Sequence, residues 1–283
     1  MEQKLIANPT VSRIRVIISW LIISWGILAV IFGIFDLQIS IDLVDPQSRW
    51  AHWIADYGEV PGAFVIISAL LILNRLRIPV SPNRERIISI VVSAIVTILI
   101  IRYSIPLANK YDIFRDYSIL WLPLLYISIY LLQDRLKHID ETHIQGFKEI
   151  SLIVVSLAIL SPLISVQTLK LFWGRIRFRD LAPNHSNFTP WYLPQGITGH
   201  SSFPSGHAAM GWMILPVYLL VQNKSKKIKL LVGIGIVSWG ALVALGRLVI
   251  GAHYATDVLF STGIALLSYM LAYKRFTVSH KLR

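Results

Sequence analysis

Apolar residues in this chain are grouped into eight blocks, which polar and mostly charged segments separate. Two blocks, Val16–Phe35 and Ile150–Leu169, each run for 20 residues without a charge, about the length that a helix needs to cross the hydrocarbon core of a bilayer. The pattern predicts an all-α, polytopic membrane helix bundle with about eight transmembrane helices. The other blocks are Ile87–Ile101, Tyr117–Gln133, Phe203–Gln222, Leu230–Gly246 and Val258–Tyr273, together with a weaker one at Val60–Asn74.

The composition agrees with a membrane protein. The chain of 283 residues is 55% hydrophobic and only 15% charged, whereas charged residues make up about a quarter of an ordinary soluble protein. It contains no cysteine, which excludes disulfides and thiolate chemistry. The first apolar block is too long for the core of a signal peptide, so we interpret it as a retained span.

The distribution of basic residues predicts the topology. Of the 27 Lys and Arg residues, 18 lie in five clusters between alternate blocks, at residues 4–15, 75–86, 135–148, 224–229 and 274–283. Basic residues favour the cytoplasmic side of a membrane. We therefore expect an integral protein of a bacterial cytoplasmic (inner) membrane with both termini inside, which requires Val60–Asn74 to cross. The same clustering argues that the net charge of +12 does not mark a nucleic-acid-binding protein.

Two of the predicted outer segments are long enough to have structure of their own. Asp36–Glu59 carries five acidic residues, and Ser48–Tyr57 within it predicts a short helix at headgroup level. Its aromatic residues indicate a belt that anchors the loop, or alternatively a gate for a lipid substrate. Lys170–Ser202 is rich in Pro and Gly, which predicts an irregular loop that folds over the neighbouring polar residues.

Three short polar segments lie at the edges of apolar blocks on the predicted outer side. The first runs from Lys170 to Arg177, with Arg175 between them. Ionisable residues at membrane depth are costly, so they suggest a function by default. A single basic residue at the end of a span is ordinarily an anchor at the interface. Several in a turn that contains Gly instead indicate binding of phosphate oxygens, to which Arg offers a bidentate fork and Lys a point charge.

The second polar segment is Pro204-Ser205-Gly206-His207. Pro suits the first turn of a helix, and backbone N–H groups at a helix start attract anions. Ser205 and Gly206 are therefore candidate phosphate-binding residues. A plain helix start is the alternative interpretation of this tetrapeptide.

The third polar segment contains Arg247, His253 and Asp257. The spacing of His253 and Asp257 predicts that both lie on one face of a helix, with Arg247 in the turn that leads into it. The carboxylate would accept the imidazole Nδ1–H and leave Nε2 as a nucleophile. A satisfied polar pair in the bundle is the alternative. Two histidines and one carboxylate on separate spans do not give the spacing of a metal site, so no metal is predicted.

These segments resemble the three signature motifs of the type 2 phosphatidic acid phosphatase (PAP2) superfamily, KxxxxxxRP, PSGH and SRxxxxxHxxxD. The corresponding stretches here are Lys170–Phe178, Pro204–His207 and Gly246–Asp257. Phe178 replaces the family's Pro and Gly246 replaces its Ser. The resemblance implies a PAP2-like phosphatase core at residues 86–283, with motifs in 170–257 and N-terminal spans at 1–85 outside the resemblance.

The resemblance also implies roles for individual residues. His253 would form a phosphohistidine, Asp257 would orient it, and His207 would protonate the leaving oxygen. Phosphate oxygens would be bound by Lys170, Arg177 and Arg247, with hydrogen bonds from Ser205 and Gly206. No cofactor or metal would take part.

The expected function is that of a membrane-embedded lipid phosphate or diphosphate phosphatase acting at the outer, periplasmic face. Its partners would be the lipid phosphate and membrane lipids, without nucleic acid; no oligomeric state is predicted. Plausible substrates are phosphatidylglycerophosphate, phosphatidic acid, undecaprenyl diphosphate or a lipid A phosphate. The alternatives are a lipid phosphotransferase and, outside the enzymes, an anion or lipid transporter whose intramembrane cations line a path.

Overall fold

The computed structural model describes residues 9–76, 82–110, 126–131, 134–135, 138 and 141–278. Throughout these residues the regular structure is helical, and the described part of the chain contains no β-strand. The predicted all-α fold class of a membrane helix bundle is thus confirmed.

The described residues form ten α-helices. They are α1 (Pro9–Leu43), α2 (Arg49–Tyr57), α3 (Val60–Arg75), α4 (Pro82–Lys110), α5 (Glu141–Gln145), α6 (Lys148–Ala158), α7 (Val166–Trp173), α8 (Gly206–Gly211), α9 (Lys226–Val249) and α10 (Ala255–Tyr273). A π-helical stretch, Ile159–Ser165, joins α6 to α7, and a 3-10 stretch, Trp212–Val221, extends α8. Each of these stretches contains a proline, Pro162 or Pro216, and a proline cannot donate the regular α-helical hydrogen bond.

Five helical segments of the described chain are long and apolar enough to cross a membrane. They are Val16–Leu43, Arg49–Arg75, Lys148–Asp180, Lys226–Val249 and Ala255–Thr277, with a shorter apolar helix at Gly206–Val221. The predicted span Ile87–Ile101 lies within α4. Most of the predicted span Tyr117–Gln133 lies outside the described residues. The count of eight therefore stays a prediction.

Contacts group the chain into two units, Met1–Glu59 with Ser156–Arg283, and Val60–Val155. In the first unit, α1 packs against α10 and α2 packs against α9. In the second, α3 packs against α4. All three polar segments belong to the first unit. The division into 1–85 and 86–283 stays a prediction.

The short helix predicted within Ser48–Tyr57 is present as α2, and its packing explains one departure from the family motifs. Ile54 and Ala51 are buried, and a Cβ atom at Gly246 of α9 would come within 2.9 Å of Ile54 Cγ2. A serine at Gly246 would therefore displace Ile54. The glycine allows α2 to approach the last turn of α9.

The loop that follows α7 folds back over the end of that helix. Gly174 ends α7 with a φ of +58°, and a Cβ atom there would lie 2.2 Å from the Gly196 carbonyl oxygen. Glycine is required at this close approach. Thr198 Oγ1 donates to the Gly174 carbonyl at 2.8 Å, and Trp191 lies against Gly33 of α1. The loop is irregular, as its composition predicts.

Candidate functional site

Ser201, just before the second polar segment, lies between the two outer cations of the first. Lys170 Nζ donates to the Ser201 carbonyl, and Arg177 Nη2 donates to Ser201 Oγ at 3.2 Å. The Lys170 Cε atom also lies 3.8 Å from the position that a Cβ atom would take at Gly206. The structure therefore brings together the first two polar segments.

The third segment bridges two helices instead of lying on one. Arg247 lies in the last turn of α9, and α10 begins only at Ala255. The Arg247 carbonyl accepts the N–H of His253 at 3.2 Å, and Gly251, with a φ of +65°, allows the tight connection. His253 thus precedes the helix that carries Asp257, contrary to the expectation from the spacing. Arg247 likewise belongs to the helix before the turn, not to the turn itself.

The Nδ1 atom of His253 has two acceptors, and the nearer one is a backbone carbonyl. It lies 2.6 Å from the Ser202 carbonyl oxygen and 3.5 Å from Asp257 Oδ2. A carbonyl oxygen can only accept, so Nδ1 carries the proton and Nε2 presents a lone pair. The sequence indicated Asp257 as the orienting group and gave no sign of Ser202.

Asp257 holds the surroundings of His253 in place. Its Oδ2 accepts Ser202 Oγ–H at 2.5 Å and the Tyr254 N–H at 3.0 Å. The Asp257 side chain is fully buried. Asp257 therefore acts on His253 both directly and through Ser202, whose carbonyl fixes the imidazole.

Asp257 also belongs to a buried cluster of charged side chains, which includes Asp36 of the N-terminal helix α1. Arg175 contacts Asp257 Oδ1 at 2.7 Å and Asp36 Oδ2 at 2.8 Å, and its guanidinium lies 3.9 Å from the centre of the Tyr254 ring. Asp36, on α1, also accepts the N–H and the hydroxyl of Thr256. No motif contains Asp36, although an acidic residue directly after a charge-free apolar block is a signal that could have found it.

Two guanidinium groups retain buried donors that can serve an anion. Arg177 Nε and Arg247 Nε are buried and have no hydrogen-bond partner in the described part of the chain. Buried N–H groups are normally paired, and guanidinium donors match phosphate oxygens. These two atoms therefore fit the predicted phosphate-binding role. A polar cavity beside Arg177 is lined by Arg177, Asp180, Gly199, His200 and Ser201.

The second polar segment leads into α8, but one of its backbone N–H groups already donates a hydrogen bond within the protein. Ser205 N–H donates to the Asp257 carbonyl at 3.1 Å, and Ser205 Oγ accepts from Ala208 N–H at 3.3 Å. The hydroxyl hydrogen of Ser205 can still be donated to a ligand, whereas its backbone N–H cannot. Gly206 is the first residue of α8.

His207, in the same segment, contacts the carboxylate of Glu59, which none of the three motifs contains. His207 Nδ1 lies 3.1 Å from Glu59 Oε1, with side-chain exposures of 26% and 11%. A carboxylate at this distance stabilises an imidazolium charge. Across the described residues, no three His, Cys, Asp or Glu side chains form a group that could hold a metal ion.

Burial makes His253 a weak base. Loss of solvation lowers the pKa of His253 from 6.5 to about 3, and the charges of Lys170 and Arg247 lower it further against the opposing effect of Asp257. An imidazole with a lowered pKa stays neutral at every pH above that value, so its nucleophilic form is present throughout the physiological range.

The protonation state of His253 can be measured by NMR on the protein in detergent with ¹³Cε1-labelled histidine. We expect the His253 resonance, assigned by its loss in His253→Gln, to keep its neutral chemical shift from pH 8 down to about pH 5. A titration midpoint near the ordinary histidine value would contradict the burial argument.

Comparison with known proteins agrees with the motifs. The chain is 46% identical over 74 residues to phosphatidylglycerophosphatase B of Haemophilus influenzae, an alignment that covers 25% of this chain and 30% of that protein. The chain therefore spans under a third of the length of this relative. No solved structure matches the chain. Residues 151–281, which contain all three motifs, match the PAP2 superfamily, and the resemblance inferred from the motifs is thereby confirmed.

Proposed function

We propose that this protein is a membrane-embedded lipid phosphate or diphosphate phosphatase that works through a phosphohistidine. The observation that carries the proposal is His253, buried with Nδ1 held by the Ser202 carbonyl, so that a neutral Nε2 lone pair is presented near cationic groups. Unpaired donors on Arg177 and Arg247 support phosphate as the ligand. The PAP2 match and the phosphatidylglycerophosphatase relative support a lipid phosphate.

In the first step, His253 Nε2 attacks phosphorus. The P–N bond forms as the bond from phosphorus to the lipid oxygen breaks, and His207 donates a proton to that oxygen. Lys170, Arg177 and Arg247 neutralise the charge on the phosphoryl oxygens during transfer. Proton donation by a positioned group contributes typically about 10²–10⁴-fold to such a step.

In the second step, water attacks the phosphohistidine. Its oxygen bonds to phosphorus, the P–N bond breaks, and the water proton passes to the now neutral His207. Inorganic phosphate is released and both histidines return to their starting states. The same donors that bound the substrate hold the phosphoryl group in both steps.

Fixed cations supply the charge that a divalent metal provides in many phosphatases. Preorganised donors in a water-poor site stabilise developing charge without reorganisation. Lys170, Arg177 and Arg247 can fill that role, so we propose that the reaction is metal-independent.

Phosphate release from purified protein tests this function. The panel comprises phosphatidylglycerophosphate, phosphatidic acid, undecaprenyl diphosphate and a lipid A phosphate, each with and without EDTA. We expect release from at least one lipid, unchanged by EDTA. Absence of release from every lipid would contradict the phosphatase, and loss with EDTA that Mg²⁺ restores would contradict the metal-free mechanism. Transfer to an added acceptor lipid in place of release would indicate a phosphotransferase.

The proposed location is a bacterial cytoplasmic membrane with the site facing the periplasm. Because the chain lacks cysteine, single cysteines report topology without background. Cysteine at Asn187, in the loop after α7, should react with an impermeant reagent added outside intact cells. Cysteine at Asn223, before α9, should react only after permeabilisation. The reverse labelling would place the chemistry in the cytoplasm.

A further inference from the structure

Glu59 contacts His207 although it comes from a part of the chain that carries none of the three motifs. Its Oε1 lies 3.1 Å from His207 Nδ1, and it precedes the PAP2-matching region, which begins at residue 151. We propose that Glu59 is a positioning residue for the general acid His207. This inference rests on the proposed function and deepens it.

The backbone around Glu59 is fixed against the helix that carries Arg247. Gly58 N–H donates to the Ile54 carbonyl at 2.8 Å, and Trp239 Nε1 of α9 donates to the Gly58 carbonyl at 3.3 Å. Ile54 packs on Gly246, where any Cβ atom would intrude. Gly246 thus leaves room for Ile54, whose carbonyl accepts the N–H of Gly58, the neighbour of Glu59.

The charge environment favours a carboxylate at this position. Glu59 is buried, and a carboxylate with so little solvent needs compensating partners. It interacts electrostatically with Arg247 and Lys170 in addition to its contact with His207. One carboxylate among these cations still leaves the site positive, so phosphate can bind.

The contact determines which imidazole nitrogen handles the proton. With Nδ1–H directed at Glu59, the mobile proton of the imidazolium is on Nε2. That proton passes to the lipid oxygen as its bond to phosphorus breaks, and Nε2 later accepts the proton of the attacking water. Glu59 keeps Nδ1–H in place through both transfers and stabilises the charged form before the first. The site thus contains two oriented histidines, each with Nδ1–H fixed by an acceptor.

The alternative is that Glu59 only holds helices together. Substrates that differ in their need for a general acid distinguish a positioning role of Glu59 from a structural one. Diacylglycerol is a poor leaving group and requires a proton, whereas p-nitrophenolate departs without one. A residue that positions the acid must therefore affect dioctanoyl phosphatidic acid far more than p-nitrophenyl phosphate. A structural residue affects both equally.

The experiment measures kcat/KM, which covers the steps through the first irreversible one, for both substrates. Purified wild type, Glu59→Gln, His207→Gln and Asp42→Asn are compared. Glu59→Gln should lower kcat/KM for dioctanoyl phosphatidic acid by about 10–100-fold, as loss of the outer partner that orients a metal-binding side chain does, and barely change it for p-nitrophenyl phosphate. Asp42→Asn removes an exposed carboxylate from α1 and should leave kcat/KM unchanged for both substrates.

The ratio of kcat/KM for dioctanoyl phosphatidic acid to kcat/KM for p-nitrophenyl phosphate does not depend on the folded fraction of a variant. Equal losses on both substrates with Glu59→Gln, up to complete loss, would overturn the proposal, as would no change on either. If His207→Gln itself showed no preference between substrates, the assignment of His207 as the acid would fail, and this proposal with it. The His207→Gln measurement therefore distinguishes failure of the proposed acid from failure of the role given to Glu59.

Discussion

Replacement of His253 by Gln is expected to lower turnover of the lipid phosphate by at least about 10³-fold, as loss of a nucleophile does. Glutamine retains a polar side chain near Ser202 and Asp257 but has no nucleophilic nitrogen. In the proposed mechanism the covalent route is then closed, while Lys170 and Arg247 remain in place to bind phosphate. We therefore expect substrate binding to persist, measured as retention of a radiolabelled, non-turned-over lipid phosphate.

His52→Gln is the matched control, since His52 is an exposed histidine on α2 whose Nε2 atom lies 2.8 Å from the Pro46 carbonyl oxygen. Its turnover should equal that of wild type. Substantial activity in His253→Gln would show that another group attacks phosphorus. Transport of the lipid phosphate by wild type without any turnover would instead favour a transporter.

Replacement of Arg175 by Ala is expected to destabilise the fold by about 3–5 kcal/mol, because it leaves buried carboxylates without their shared cation. Arg175 bridges Asp36 and Asp257 at 2.8 and 2.7 Å, and all three side chains are at most 1% exposed. Thermal unfolding of the purified protein in detergent measures the change. Activity should fall as well, since Asp257 holds Ser202, which orients His253.

Arg179→Ala is the matched control, because Arg179 is 43% exposed and lies 3.8 Å from Asp180. Exposed ion pairs contribute about 0–1 kcal/mol, so little change is expected. Addition of Asp36→Asn to Arg175→Ala should recover part of the stability by removing one uncompensated charge. Equal melting temperatures for Arg175→Ala and Arg179→Ala would contradict the stabilising role of the buried cluster.

The helices and the three polar segments could be predicted because both depend on local pattern. Apolar blocks of sufficient length predict spans wherever they occur, and Lys170, Pro204 and Asp257 each mark the edge of one. Motif order and spacing then indicate the resemblance to the PAP2 superfamily before any tertiary contact is known. The match of residues 151–281 confirms that resemblance, and the roles of the individual site residues stay predictions.

Contacts between distant parts of the chain could not be predicted, and they include those of Ser202 and Glu59 with the two histidines. Asp36 contacts Thr256 across 220 positions, and the Ser202 carbonyl contacts His253 across 51. Backbone carbonyls carry no sequence signature, so Ser202 gave none. The boundary between α9 and α10 was also missed, because spacing by four residues is compatible with a helix but does not require one.

Detection of the phosphohistidine is the most direct test of the proposed chemistry. Wild-type protein is mixed with ³²P-labelled lipid phosphate, quenched in alkali, which preserves phosphohistidine, and digested for mass spectrometry. We predict acid-labile label on the peptide that contains His253, at Nε2, and none on His253→Gln. Label that persists on the His253→Gln protein, or turnover by wild type with no labelled peptide at any quench time, would contradict attack by His253.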